Sequence, residues 1–151
     1  MKITHYLMTG GELSSGLLIF AGAALFFLLM EASGLNQILH TRLLNVIFIF
    51  FGVNRILRMN LAQGQNNFLL NAVSAMTASF TGVVLSLAAL MIYSYARGGD
   101  AYIKSLPQTL MYGGEPSVPL YILCFLFEGC ASCIATTVVM MLYLNSRFKT
   151  G

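Results

Sequence analysis

Apolar positions along this chain do not alternate or recur once per turn. They run in long unbroken stretches parted by short polar links. Residues 13–30 read LSSGLLIFAGAALFFLLM and stop at Glu31, and a second run, 42–59, ends among Asn54, Arg55 and Arg58. The polar link NLAQGQNN follows, then a long third run at 68–95 and a fourth at 120–144. A bilayer core is about 30 Å thick and a helix rises about 1.5 Å per residue, so roughly 20 mostly apolar residues make one crossing. The pattern predicts an all-α, integral membrane four-helix bundle built as a single transmembrane domain. The short 60–67 link turns the third helix back beside the second.

The stretch 97–119 is the sizeable loop of this scheme. Asp100 is placed to cap a short helix with Ile103, Leu106, Leu110 and Met111 on its apolar side, limited by Pro107 and ended by Gly113-Gly114. The expectation is a segment lying along the membrane surface. Residues 1–30 carry one early basic residue, Lys2, and a long apolar region, and read as a retained first span instead of a cleaved leader.

Composition sharpens the picture. The chain is 58% hydrophobic and 9% charged over 151 residues, whereas soluble domains average about 45–50% apolar and about 25% charged. So few ionic groups leave no soluble domain beside the spans. The net charge of +3 comes from residues at segment ends. No basic patch able to neutralise several phosphates is present, which excludes nucleic acid as a partner. With four spans, Lys2, Arg55, Arg58, Arg147 and Lys149 share one side, against Arg42, Arg97 and Lys104 on the other together with Glu31, Asp100 and Glu115. The excess predicts both termini in the cytoplasm.

Candidate chemistry is sparse. Glu128 is an acid in the middle of the fourth run, where a carboxylate costs about 2.5–3.5 kcal/mol on insertion scales. Counting inward, it is expected at the level of Gly22, Gly52 and Ser86, facing the bundle interior as a protonated acid that donates to Ser86, Thr81 or a backbone carbonyl. Three roles stand open for it: a tie between helices, a proton or cation site, or a contact to another subunit. Gly22 and Gly52 on the first two runs, and Ser74, Ala78 and Gly82 recurring every fourth residue on the third, predict close helix packing. Tyr93 and Tyr95 read as interfacial aromatics.

Cys130-Ala131-Ser132-Cys133 has redox or metal spacing but lacks the strand–helix setting of a thioredoxin-like site, and His5 and His40 fall on opposite sides. The thiols read as packing, with no metal and no cofactor expected. Glu31 and His40 form a possible surface pair. No phosphate loop, nucleophile elbow or metalloprotease motif occurs, so no catalytic residue is nominated.

LLMEASGL at 28–35, His40 and Asn45 before FIFFGV, FTGVV at 80–84 and FEGCAS at 127–132 together resemble a small four-helix membrane family of Bacteroidota, catalogued as a domain of unknown function (number 4199). That resemblance implies an inner-membrane location, four spans and a cytoplasmic N-terminus, and no activity. The functional expectation is an accessory or scaffold subunit of a larger membrane assembly, with the lipid bilayer and other membrane subunits as partners. The alternative is a small oligomeric transporter or channel that uses Glu128.

Overall fold

A computed structural model describes residues 10–34, 44–106 and 115–148. Its helices are α1 (Gly10–Ala32), α2 (Asn45–Ala62), α3 (Phe68–Ala96), the short α4 (Asp100–Lys104) and α5 (Val118–Tyr143), with a 3-10 turn at Asn145–Arg147. The described residues hold helices and no strand, and α1, α2, α3 and α5 are long and apolar enough to cross a membrane. His5, His40, Lys2, Arg42 and Lys149, and Pro107, Leu110, Met111 and Gly113-Gly114 of the loop, lie outside the described residues.

The helix ends follow local chemistry. α1 extends past 13–30 at both ends and takes in Glu12 and Glu31. α2 runs through Asn60-Leu61-Ala62 before Gly64, at φ 80°, turns the chain. A residue with a Cβ adopts that left-handed geometry at a cost. Asn67 caps α3, its side chain accepting from Leu70 N at 3.2 Å. α5 starts at Val118 because Pro119 fits a first helical turn, where a missing N–H costs nothing.

Close contacts fix the directions of the helices. Ile19 meets Gly52 and Gly22 meets Phe48, so α1 and α2 are antiparallel. Glu31 meets Tyr93 and Arg97, so α1 and α3 finish at the same end. Gly129 abuts Val83, and Phe68 and Phe148 stack edge-on with ring centroids 5.7 Å apart, so α5 returns beside α3. α3 is the central helix and packs on all the others.

Small residues make this approach possible. A Cβ added at Gly16 would stand 3.0 Å from the Ala78 carbonyl oxygen, and one at Gly82 would stand 2.7 Å from Ile19 Cβ. The buried face of α3 is Asn71, Ala75, Ala78, Ser79, Gly82 and Val83. Ala78 and Gly82 both lie on this face. Ser74 and Ser86 fall at the flank of that face, half-buried. The main core gathers Ile19, Ile49, Val53, Ile56, Leu57, Ala75, Ala78, Cys133 and Met140.

The outward faces are as apolar as the inward ones. Leu29 and Phe51 are more than half exposed, and Ile92 and Leu142 more so. Lipid accepts such a surface and water does not.

The short α4 packs its apolar side on the bundle. Ile103 is 0% exposed and Leu106 5%, packed with Val118 and Tyr121 under Leu90 and Phe125. Its apolar side is covered by protein, because Gly98 and Gly99, at φ 121° and 62°, fold the chain straight back over the end of α3.

Candidate functional site

The densest polar cluster lies where α1 and α3 end. Glu31 Oε1 accepts from the Tyr93 hydroxyl at 2.8 Å and from Arg97 Nη2 at 3.0 Å, while its Oε2 accepts from the Tyr102 hydroxyl at 2.6 Å. Glu31 is in the last turn of α1, where the helix dipole is negative and disfavours an anion. Three donors on two other elements offset that. The Glu31 side chain is 13% exposed and that of Arg97 56%, so the carboxylate is enclosed while its cation stays in contact with solvent. Aromatic rings complete the enclosure. Tyr93 meets Phe27 edge-on at 5.5 Å and Tyr102 at 5.9 Å, and the Arg97 guanidinium lies 5.8 Å from the Tyr93 ring centroid.

Burial, then the hydrogen bond to Glu31 and its charge, push the Tyr102 phenol up, so it holds its proton and remains a donor. The Gly98-Gly99 turn delivers Tyr102 to the site. Asp100 then ties α4 to α5: its Oδ1 accepts from Val118 N at 2.8 Å. Asp100 thus caps the long helix α5 instead of its own short one, whose N-cap, Gly99, makes no side-chain bond. Lys104 and Glu115 pair at 3.3 Å across the same junction.

Sequence reasoning placed Glu31, Arg97 and Asp100 on one side, and the structure joins Glu31 to Arg97. The expected partner of Glu31, His40, lies outside the described residues, and the hydroxyl of Tyr93 is a Glu31 donor that the sequence does not single out. Opposite charges at the ends of two helices that finish together were the signal available for the Glu31–Arg97 pair.

Glu128 takes an exposed position on α5, in place of the interior one expected. The reason is one residue away. Gly129 occupies the inward position, and a Cβ there would stand 2.5 Å from Val83 Cγ1. Glu128, a 100° step along the helix, turns outward beside exposed Phe127. It keeps a contact within the chain and is nonetheless exposed. Because Gly129 abuts Val83, Glu128 lies between the levels of Gly82 and Ser86 on α3. The hydroxyls of Thr81 and Ser86 donate to the Thr77 and Gly82 carbonyls of their own helix, at 2.7 and 2.8 Å.

The acid that is buried is Glu12, 6% exposed in the first turn of α1 and engaged within the chain. Toward the same end of the bundle, Ser15 Oγ, Asn60 Nδ2, Asn71 Oδ1 and Thr137 Oγ1 are buried without a hydrogen-bond partner. Cys124 and Cys133 are buried and Cys130 half-buried, all as free thiols packed on α5. Among the described residues no three of His, Cys, Asp or Glu converge as metal ligands would.

Compared with known protein families, with curated proteins and with solved structures, the chain matches none.

Proposed function

We propose that this chain is a multi-pass protein of the bacterial inner membrane, with both termini cytoplasmic, that serves as an accessory or scaffold subunit of a larger membrane assembly. The observation that carries this reading is the exposed position of Glu128 at mid-span on α5. A carboxyl group on the lipid-facing perimeter costs about 2.5–3.5 kcal/mol on insertion scales. A neighbouring subunit packed over this face takes the carboxyl group out of lipid and removes that cost, whatever contact it keeps within its own chain. The resemblance to the four-helix Bacteroidota family supports the membrane and the orientation, as does the distribution of charge. The Glu31 end pairs its cations with acids, whereas Arg55, Arg58 and Arg147 at the opposite end enter no ion pair among the described residues.

The rival reading, a small oligomeric transporter or channel, needs a polar path. Ser79, Thr81, Ser86 and Ser94 instead return their hydroxyls to carbonyls of α3, the usual resting arrangement of such residues in a helix. The deciding experiment places a photo-crosslinking residue at Val139, exposed on the Glu128 side of α5, and at Leu25 on α1 as a control. One integral membrane protein captured from Val139 and not from Leu25, and co-purifying in mild detergent, is the expected result. A chain that purifies alone, with proton or cation flux in proteoliposomes that vanishes in Glu128→Gln, replaces this reading with the transporter.

A further inference from the structure

Between the last turn of α2 and the end of α5 lies an open groove with an apolar floor, Leu61 and Leu144, and a polar rim of Tyr143, Ser146, Arg58 and Arg147. The rim carries two cations and no acid. Arg58 donates through Nε to Asn54 Oδ1 at 2.8 Å, which orients the guanidinium and leaves its Nη groups unengaged among the described residues. The Arg147 guanidinium makes no ion pair or hydrogen bond among the described residues. Two helices of spanning length end here, so a bilayer around them sets its headgroups at this level.

From this arrangement we propose that the groove binds an anionic phospholipid, its phosphate held by Arg58 and Arg147 with Ser146 as a further donor, and its first acyl carbons against Leu61 and Leu144. The inference rests on the membrane reading above. Charge complementarity selects the ligand. A guanidinium presents a planar fork of donors that matches phosphate oxygens, and basic pockets between membrane helices on the cytoplasmic side suit acidic headgroups. The apolar floor favours a phosphate that arrives with a chain attached. Arginines near helix C-termini also offset the helix dipole, a role that concerns stability and is separable from lipid retention.

The test is native mass spectrometry of the full chain released from neutral detergent with added phosphatidylglycerol, phosphatidylcholine or inorganic phosphate. Wild type is expected to retain phosphatidylglycerol over phosphatidylcholine, with retention falling about fivefold in each of Arg58→Gln and Arg147→Gln. Arg55→Gln, at the same end but outside the groove, is expected to retain lipid as wild type does. Arg147 has no ion pair or hydrogen bond to lose among the described residues, so Arg147→Gln keeps the test decisive even where the Arg58 variant unfolds. Equal loss in Arg55→Gln, or no loss in Arg147→Gln, overturns the site. Complete displacement by excess inorganic phosphate overturns the lipid as its source. Recovery of the chain in the soluble fraction of disrupted cells overturns the membrane reading itself, a distinct result from failure of the groove.

Discussion

Ile19 fills the space that the missing side chain of Gly82 leaves on α3: a Cβ at Gly82 would stand 2.7 Å from Ile19 Cβ and Cγ2 and 2.9 Å from the Gly16 carbonyl oxygen. The same isoleucine reaches Gly52 on α2, where a Cβ would lie 2.3 Å from its Cγ1. One side chain, 2% exposed, thus sets the separation of three helices.

The two glycines are predicted to differ in how they can be rescued. Gly52→Ala and Gly82→Ala should each destabilise by about 1–3 kcal/mol, the usual cost of overpacking. At Gly52 the closest obstacles are Ile19 Cγ1 and Cδ1, which Ile19→Ala removes. At Gly82 the obstacles include Ile19 Cβ and a backbone oxygen, which persist. Thermal unfolding in detergent should therefore show Ile19→Ala/Gly52→Ala losing less than the sum of its single changes. The corresponding Gly82 pair should stay nearer additive. Equal coupling in both pairs would falsify the notch geometry.

The Glu31 cluster leads to a second expectation. Tyr102→Phe removes the 2.6 Å bond to Oε2 and nothing else. Tyr102 is only half-buried, so the loss belongs at the low end for a bond to a charged group, about 1 kcal/mol. Because the folded chain pushes the phenol up from its ordinary value of 10.0, this stabilisation is fully present below that pH and is lost only as pH rises through the folded value. The melting-temperature gap between wild type and Tyr102→Phe should hold constant from about pH 6 to about pH 9. A gap that closes within that range would mean that the phenol does not serve as the donor described.

Four apolar helices of spanning length and the gathering of charges at their ends could be read from the sequence, because unbroken apolar runs and clustered charges need no partner to be recognised. The facing of each helix could not. Lipid and protein interior are equally apolar, so periodicity loses the contrast that marks a buried stripe in a soluble helix. The series Ser74, Ala78, Gly82 follows a four-residue step, whereas the buried positions of α3 also include Ala75 and Ser79, which that step does not reach. Glu128 was expected inside, yet Gly129 beside it takes that place only because Val83 stands opposite. That pairing spans two helices distant in sequence. Asp100 was read as the cap of its own helix, and its partner, Val118 N, lies across the loop.

That partner yields a third expectation. Asp100→Ala removes the acceptor for the first N–H of α5, worth about 1 kcal/mol as an N-cap, whereas Asp100→Asn keeps an oxygen there and should cost less. The bond also holds α4 in place, so hydrogen exchange over 100–106 should quicken in Asp100→Ala more than in Asp100→Asn. If the two variants exchange alike at wild-type rates, Ile103 and Leu106 alone anchor the segment.

Two asparagines at the opposite end are predicted to respond with opposite signs to the same change. Asn71 Nδ2 donates to the carbonyls of Gln65 and Asn67, at 2.7 and 2.9 Å, and so holds the turn into α3 closed. Asn60 lines the same turn, accepting through its backbone oxygen from Gln65 N at 2.9 Å, but its side-chain Nδ2 is buried without a partner. Asn71→Leu leaves the Gln65 carbonyl without its donor, while the Asn67 carbonyl keeps the Asn71 N–H at 3.2 Å, and should destabilise by about 1–3 kcal/mol, the usual cost of one orphaned buried group. Asn60→Leu removes a buried donor that has no acceptor while keeping the backbone bond, and should be neutral or stabilising by up to about 1 kcal/mol. Denaturation of the two variants side by side checks this. Destabilisation by Asn60→Leu as large as that by Asn71→Leu would show that Nδ2 has a bound water or lipid oxygen as its acceptor, and the turn would then be a wet site instead of a dry one.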